Sequence, residues 1–472
     1  MKKTSKKVIT LFMVFVLILS LGACGKKTKE TTSDKATEAP EETTTPEETA
    51  TPEATEEAGF DLGGRTIKVG TWWDVYYDSR HDSIDDNPSV SNTETAQMQL
   101  DNVRRIEKKY NCKIEFVNLT WEGTIESINT SITAGTPDCD AYMTDLQFGP
   151  KAAAAGLAQA LQDFLPADAD VLSDQQIAKK LNVFGLEKDY LFAAQGVNTD
   201  GIAMAYNKTM LDELGLEDPQ ELYKNGQWTW EKFEELAKAC TKDNDGDGTT
   251  DVYGYGSIWT YTLPQFALSN GGTIASTTTE GLSSPQVVEA LDFINKLYTV
   301  DKVARPWNPD DWNDNLNAWS DGKVAFWGTQ AWVQGSFPDT TYEIHIVPYP
   351  QGPSGDGSMA TTTTGTWWMI PVGVKDPDKV YKVVEEYWNW YNGDTSYRDD
   401  TEWAEGCFQS EEDFNILTDI STKAATDLYG GIGFDFGAEM LGIMDGSVTV
   451  SQAVESKKQV LQDLLDEIIK TE

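Results

Sequence analysis

Histidine is nearly absent from this chain: His81 and His345 are the two present in 472 residues. A histidine-rich metal centre or a conventional nucleophile–histidine triad is therefore hard to assemble. Cysteine is sparse too. Cys24, Cys112, Cys139, Cys240 and Cys407 show no CxxC or zinc-ligand spacing. The G-x-S-x-G elbow, the H-E-x-x-H zinc motif and a phosphate-cradling glycine loop are missing as well. Carboxylate pairs for glycoside hydrolysis carry no signal, because 77 acidic residues make a pair at any separation commonplace.

Positive charge is the next deficit. The 37 basic residues face 77 acidic ones, a formal net charge of -40. Phosphates and anionic lipid headgroups would repel such a chain, which excludes nucleic acid as a partner and argues against a strongly anionic ligand. The acids are spread along the sequence, so a solvated acidic surface accounts for most of them.

Long apolar runs are lacking too. Val8 to Leu21 is shorter than the roughly 20 residues a bilayer span needs. It follows the basic cluster Lys2, Lys3, Lys6 and Lys7 and ends at Leu21-Gly22-Ala23-Cys24. A basic start, an apolar core of about fifteen residues or fewer and a small-residue site describe an export signal. Small residues just before cysteine make it the signal of a lipoprotein, with residues 1–23 removed and Cys24 acylated. The mature chain is then expected on the extracellular face of the cell membrane, held there by its lipid. That address permits disulfides without requiring them, and Cys112 with Cys139 is the most plausible pair.

Residues 24–59 contain no aromatic residue and no Val, Ile or Leu, and are dominated by Thr, Glu, Pro and Ala. Nothing there offsets the entropy of folding, so the segment reads as a disordered tether. At roughly 3 Å per residue it could reach about 100 Å.

From Phe60 onward the chain is too long for one ordinary core and suits two lobes. Strand and helix patterns alternate. Arg65–Thr71 predicts a strand, Thr93–Tyr110 a helix, 113–117 a strand, 125–133 a helix, and 139–144 a strand ending at Asp145. Further on, 202–206, 324–327 and 343–347 read as strands. The stretches 230–238, 285–300 and 451–470 read as helices. Such alternation implies an α/β fold with mostly parallel sheets, and ligands at the carboxyl ends of the strands.

Tryptophan is abundant. Of the sixteen, many stand beside small or polar residues and not on apolar helical faces. Trp72 and Trp73 follow the first strand, Trp259 and Tyr261 follow YGYGSI, and Trp307 lies in a Pro/Asn/Asp-rich stretch with Trp312. Trp332 sits near Gly328, and Trp367 and Trp368 follow TTTTGT. Flat aromatic faces with nearby carboxylates suit sugars: the C–H face of a pyranose stacks on the ring while Asp and Asn take its hydroxyls. Core packing is the alternative for any single one of them.

A second motif lies at Asp243-Asn244-Asp245-Gly246-Asp247-Gly248-Thr249-Thr250-Asp251. Oxygen ligands at Asp243, Asp245, Asp247 and Asp251, with Thr249 at the position that binds through its backbone carbonyl, follow the EF-hand pattern. Gly254 stands where the bidentate glutamate would be. A structural calcium ion is expected, against the alternative of a plain acidic turn. No catalytic cofactor is expected.

The segment Ala203 to Gly256 (AMAYNKTMLDELGLEDP…WTWEKFEELAKACTKDNDGDGTTDVYGYG) resembles family 1 extracellular solute-binding proteins of bacterial ABC importers, the group of maltose-binding protein. SNGGTIAS at 269–276, WSDGKVAFWGTQAWV at 319–333, TWWMIPVGVKDPDKVYKVVEEYW at 366–388 and the terminal SVTVSQAVESKKQVLQDLLDEI match in the same order. The resemblance implies a two-lobed, type II periplasmic-binding-protein-like α/β fold with three hinge crossovers and ligand in the cleft. Crossings are expected near Val197–Gly201, Arg305–Pro309 and Ser358–Gly365. One lobe would combine 60–198 with 307–360, and the other 199–306 with 361–472. The resemblance further implies no catalysis. It points instead to capture of an oligosaccharide by a monomer and delivery to a membrane permease, with a non-sugar solute such as a peptide or glycosylated compound, or a surface glycoside hydrolase, as the alternatives. The aromatic platforms would be Trp73, Trp259, Trp332 and Trp367, with Asp145 as the polar partner.

Overall fold

Strand β1 (Arg65–Thr71) buries Ile67 and Val69 and exposes Thr66 and Lys68 between them, the period-two pattern of a strand with one face on a core. In this computed structural model, residues 59–74, 76–87, 93–173, 178–181, 183, 185–337, 340–357, 361–362 and 365–468 are described. The export signal with Cys24, the tether to Ala58 and most of Ser358–Gly365 lie outside the described residues.

β1 pairs in parallel with β2 (Cys112–Asn118) and with β3 (Ala141–Thr144). The sheet continues through β10 (Trp367–Met369), β5 (Leu191–Ala194) and β4 (Ala178–Leu181), in the order β2-β1-β3-β10-β5-β4. The helix Thr93–Tyr110 covers one face with Ala96, Leu100, Val103, Ile106 and Tyr110, spaced three and four residues apart. The helix Pro377–Trp388 packs beside it through Val380, Val383 and Val384. Glu386 ties the two helices by accepting from Lys109, Arg105 and the Tyr110 hydroxyl.

A second sheet has the order β7-β8-β6-β9, with β6 (Ala203–Asn207), β7 (Tyr253–Ser257), β8 (Val324–Thr329) and β9 (Ile344–Val347). Every residue of β8 is buried, as a central strand covered on both faces requires. Trp228, Phe233, Phe266 and Phe326 fill the core around it. Burying each such ring contributes about 1.5–3 kcal/mol.

Most strands of each sheet point one way, and the exceptions are informative. β4 runs antiparallel to β5 at the edge of the first sheet, while β6 and β10 run antiparallel to both of their neighbours. β6 and β10 are each the first strand after the chain changes sheet. A chain that leaves one sheet at its carboxyl edge and enters the other at its carboxyl edge must run against the strands already there. The passages lie between Ala194 and Ala203 and between Val347 and Trp367.

This topology corrects the expected lobe composition. Arg305–Pro309 is not a crossing: Ala304 bridges Tyr255 of β7, and the chain continues into β8 of the same sheet. β8 and β9, expected in the first lobe, complete the second sheet. β10 and the helix Pro377–Trp388, expected in the second lobe, belong to the first sheet and its core. The chain leaves that core again after Trp388. The helix Glu411–Thr422 places Asp413 against Ile346 of β9, so the final passage falls between these two helices. The four described cysteines are free thiols.

Candidate functional site

Both sheets present their carboxyl edges where the chain passes between them, and the polar and aromatic residues of interest collect there. On the first sheet, the Thr71 hydroxyl donates to the Trp73 carbonyl (3.1 Å) and turns the chain out of β1. Trp72 packs edge-on against Trp73 (5.5 Å), Trp121 (5.1 Å) and Phe148 (5.9 Å). Trp72 is half-buried in this cluster and Trp73 is exposed. Asp145 follows β3 directly and is buried. Burial pushes its carboxyl up to about 7, against the backbone N–H groups of Gln147 and Phe148, which favour the charged form.

On the second sheet, Trp259 and Tyr261 open the helix Trp259–Ser269 that follows β7. Gln330 follows β8 and is 3% exposed. Its Oε1 accepts from the Tyr261 hydroxyl at 2.6 Å and from Trp332 Nε1 at 3.0 Å, while its Nε2 donates to the Asp200 carbonyl at 2.6 Å. One buried amide thus fixes two aromatic rings and the first inter-sheet passage. The Asp200 side chain is open to solvent, yet desolvation by the surrounding protein raises its pKa, as expected for a group on a concave surface.

The segment 427–437 reaches both edges. Asp427 holds its start by accepting from the N–H groups of Ile274 (2.7 Å), Ala275 (2.8 Å) and Tyr429 (3.0 Å). Gly431 lies so close to the Leu146 carbonyl that a side chain there would collide with it. Gly437 lies against the Trp259 ring, and Phe434 stacks with Phe436 at 5.9 Å. The loop after β3 and the helix after β7 are joined through this one segment.

The expected residues therefore divide. Asp145, Trp72 and Trp73 gather on one edge, and Trp259, Tyr261 and Trp332 on the other. Trp307 follows Ala304, which bridges Tyr255 of β7 in parallel, and pairs edge-on with exposed Trp312 (5.4 Å) beside the Arg305–Asp314 ion pair (2.7 Å). Trp367 and Trp368 do not form a loop platform. They lie in β10 and are 5% and 2% exposed. Trp368 packs against Trp388 (5.0 Å) and Tyr76 (6.0 Å) behind the sheet, while Trp367 faces the other core, because consecutive strand residues point to opposite faces. Trp121, Phe148, Gln330 and the 427–437 segment were missed. Gln330, two residues before Trp332 in GTQAW, was the one within reach of motif reasoning.

The Asp-rich loop is closed at its base by Lys242 and Val252. Ligand atoms of Asp243, Asp245 and Asp247 lie within 4.8 Å of one another, all exposed. Asp243 accepts from the N–H groups of Gly246 (2.7 Å) and Gly248 (2.8 Å), which hold its carboxyl below the usual range. Asp251 accepts from Asn244 N (2.7 Å), and Thr249 N donates to Asp247 (2.7 Å). Gly254 backs onto the Ala237 carbonyl of the helix Trp230–Cys240, where any side chain would clash. The bidentate glutamate is missing because that position is packed against a helix. The remaining oxygens suit a hard cation with a partial protein shell.

The family model described as bacterial extracellular solute-binding protein matches residues 90–394, more than half of the chain. The chain belongs to this family. No match was found among curated proteins. Solved structures share the solute-binding protein's fold. An ABC substrate-binding protein from Listeria monocytogenes in complex with cycloalternan is 16% identical with a TM-score of 0.60, the match covering 85% of this chain and 98% of that one. The maltose/maltodextrin-binding domain from Bdellovibrio bacteriovorus bound to maltotriose is 15% identical at a TM-score of 0.57, covering 84% and 98%. A Mycobacterium tuberculosis protein in complex with glycerophosphocholine is 16% identical at 0.58, covering 79% and 96%. The solute-binding protein therefore has the type II periplasmic-binding-protein-like fold. Among the described residues no helix is long and apolar enough to cross a membrane.

Proposed function

We propose that this chain is the receptor of an ABC importer that captures an oligosaccharide between two lobes, one built on each sheet, and presents it to a membrane permease. The observation that carries this reading is Gln330, which holds Tyr261 and Trp332 in fixed orientation at the carboxyl edge of the second sheet, as Trp72, Trp73 and Asp145 stand at that of the first. Rings supply stacking faces, and Asp145 and Asp200 supply hydroxyl acceptors. No bond is broken: specificity comes from stacking and hydrogen bonds, and lobe closure signals occupancy. The carboxylates at the site disfavour an anionic ligand.

In the same reading, Cys24 carries the acyl anchor and residues 25–59 are the tether from the membrane. The receptor works as a monomer, and a structural calcium ion held by Asp243, Asp245, Asp247, Asp251 and the Thr249 carbonyl braces the loop before β7. Titrating purified protein with oligosaccharides while following tryptophan fluorescence, with product analysis in parallel, tests the reading. Saturable quenching without product is the expected result. Turnover of glycan at substoichiometric protein would overturn it in favour of a surface glycoside hydrolase.

A further inference from the structure

Among the exposed tryptophans, Trp403 stands out at 63% exposure. It lies on the short helix Glu402–Gly406, far along the sequence from the aromatic residues of the site. Its mount is nevertheless firm. Ala404 beside it is buried, and the Cys407 thiol donates to the Trp403 carbonyl (3.2 Å). Cys407 and Trp403 both lie against the helix Ala331–Gly335 at its last residue. A side chain at Gly335 would meet Cys407 Sγ at 2.8 Å and the Trp403 ring at 4.0 Å. The glycine is what lets the two helices touch.

The same helix carries Trp332, 42% exposed, one turn earlier. That turn places the mount of Trp403 about 5 Å along the helix from the mount of Trp332. Exposed Glu402 precedes it in the sequence and offers a carboxylate acceptor. An exposed ring whose mount lies one helical turn from that of Trp332, with an acid as chain neighbour, is ill-suited to anionic lipid and well suited to a neutral polyol.

We propose that Trp403 is an outer sugar platform continuing the site beyond Trp332, so that it governs discrimination of longer oligosaccharides from disaccharides. This rests on the carbohydrate reading. The inner site binds one end of the ligand, and Trp403 stacks on a more distal unit that short ligands lack.

The test uses calorimetric titration with α-1,4-, β-1,4- and β-1,3-linked gluco-oligosaccharides and xylo-oligosaccharides, from disaccharide to hexamer. In the series that wild type binds, Trp403→Ala should weaken the longest oligomer about tenfold, as loss of an aromatic anchor does, and leave the disaccharide within about twofold. Trp403→Phe should restore most of the loss, and the melting temperature should not move. Trp332→Ala should weaken every length. Equal affinities of Trp403→Ala and wild type at all lengths would overturn the proposal, as would a loss independent of length. Failure of wild type to bind any series would instead sink the carbohydrate reading itself.

Discussion

Tyr261 and Gln330 are joined by a buried 2.6 Å hydrogen bond across 69 residues of sequence, and the same amide oxygen also receives the Trp332 indole. Both rings are thereby oriented before any ligand arrives. Gln330→Leu keeps the volume but strands the buried Tyr261 hydroxyl, at a cost of about 1–3 kcal/mol, and releases the part-exposed Trp332 indole from its fixed partner. The variant should fold, melt lower and bind sugar roughly tenfold to a hundredfold more weakly, since 1.4 kcal/mol is about a factor of ten. Calorimetry with a thermal melt checks both effects. Unchanged affinity would remove Gln330 from the site.

Tryptophans at the edge and in the core should separate cleanly on truncation. Trp259→Ala should weaken sugar binding by about 1–3 kcal/mol with little loss of stability. Trp368→Ala, in contrast, should destabilise the fold by about 3–5 kcal/mol, because it empties the core between β10 and the helix Pro377–Trp388. Denaturant midpoints and binding titrations on the same two proteins distinguish the cases. A stable Trp368→Ala with lost binding would reverse the assignment.

Asp145 gives the site a pH dependence near neutrality. Its folded-state pKa, raised to about 7 by burial, lies above the ordinary carboxylate value of 3.8. Its contribution to stability is therefore fully present below the unfolded pKa and is lost as pH rises through about 7. A sugar hydroxyl donating to the charged form should make affinity rise over the same interval. Asp145→Asn should flatten the affinity profile and, with no charge to bury, melt higher than wild type at pH 8. A pH profile shared by both proteins would point to another group.

How far the sequence disclosed this arrangement depended on whether a signal was local. β1 and the helix Thr93–Tyr110 were readable because their buried residues recur at strand and helix periods. The helix Trp121–Ser131 was placed late, since its start depends on Thr120 in a positive-φ conformation with its hydroxyl capping Gly123 N. The 285–300 helix was foreseen as one piece but changes to a wider π turn at Lys296–Val300. Trp367 and Trp368 looked like loop residues because TTTTGT precedes them. Their strand exists only through pairing with Thr144, Met143 and Phe192, contacts more than 170 residues away. The same holds for lobe membership: β8 reads as a buried strand in the sequence, but nothing local says which sheet receives it.

Calcium should stabilise this protein through the Asp243 loop. Chelation is expected to lower the melting temperature, and added calcium to restore it. Asp243→Asn should abolish the response, because Asp243 carries the first ligand position and organises the turn through Gly246 and Gly248. Sugar affinity should be nearly unaffected. A wild-type melt indifferent to chelator and calcium would leave an acidic turn as the better account.

His345 supplies a pH effect of opposite location and separable origin. It joins β9 to the helix Glu411–Thr422: Nδ1 lies 3.0 Å from Asp413 and Nε2 3.0 Å from Glu343. The Asp413 carboxylate raises the imidazole to about 9, with Glu343 adding to the effect and burial opposing it. A folded-state pKa above the unfolded value of about 6.5 means the bridge's stabilisation is complete below that value and fades as pH rises through about 9. Asp413 remains buried and also accepts from Ile346 N and Gln220 Nε2, so the neutral imidazole leaves a charge only partly compensated. Thermal melts of wild type and His345→Gln at pH 6, 8 and 10 isolate this contribution from other alkaline titrations. Wild type should exceed the variant most at pH 6 and converge on it by pH 10. A gap that stays constant across the three would show that the histidine packs there without its charge.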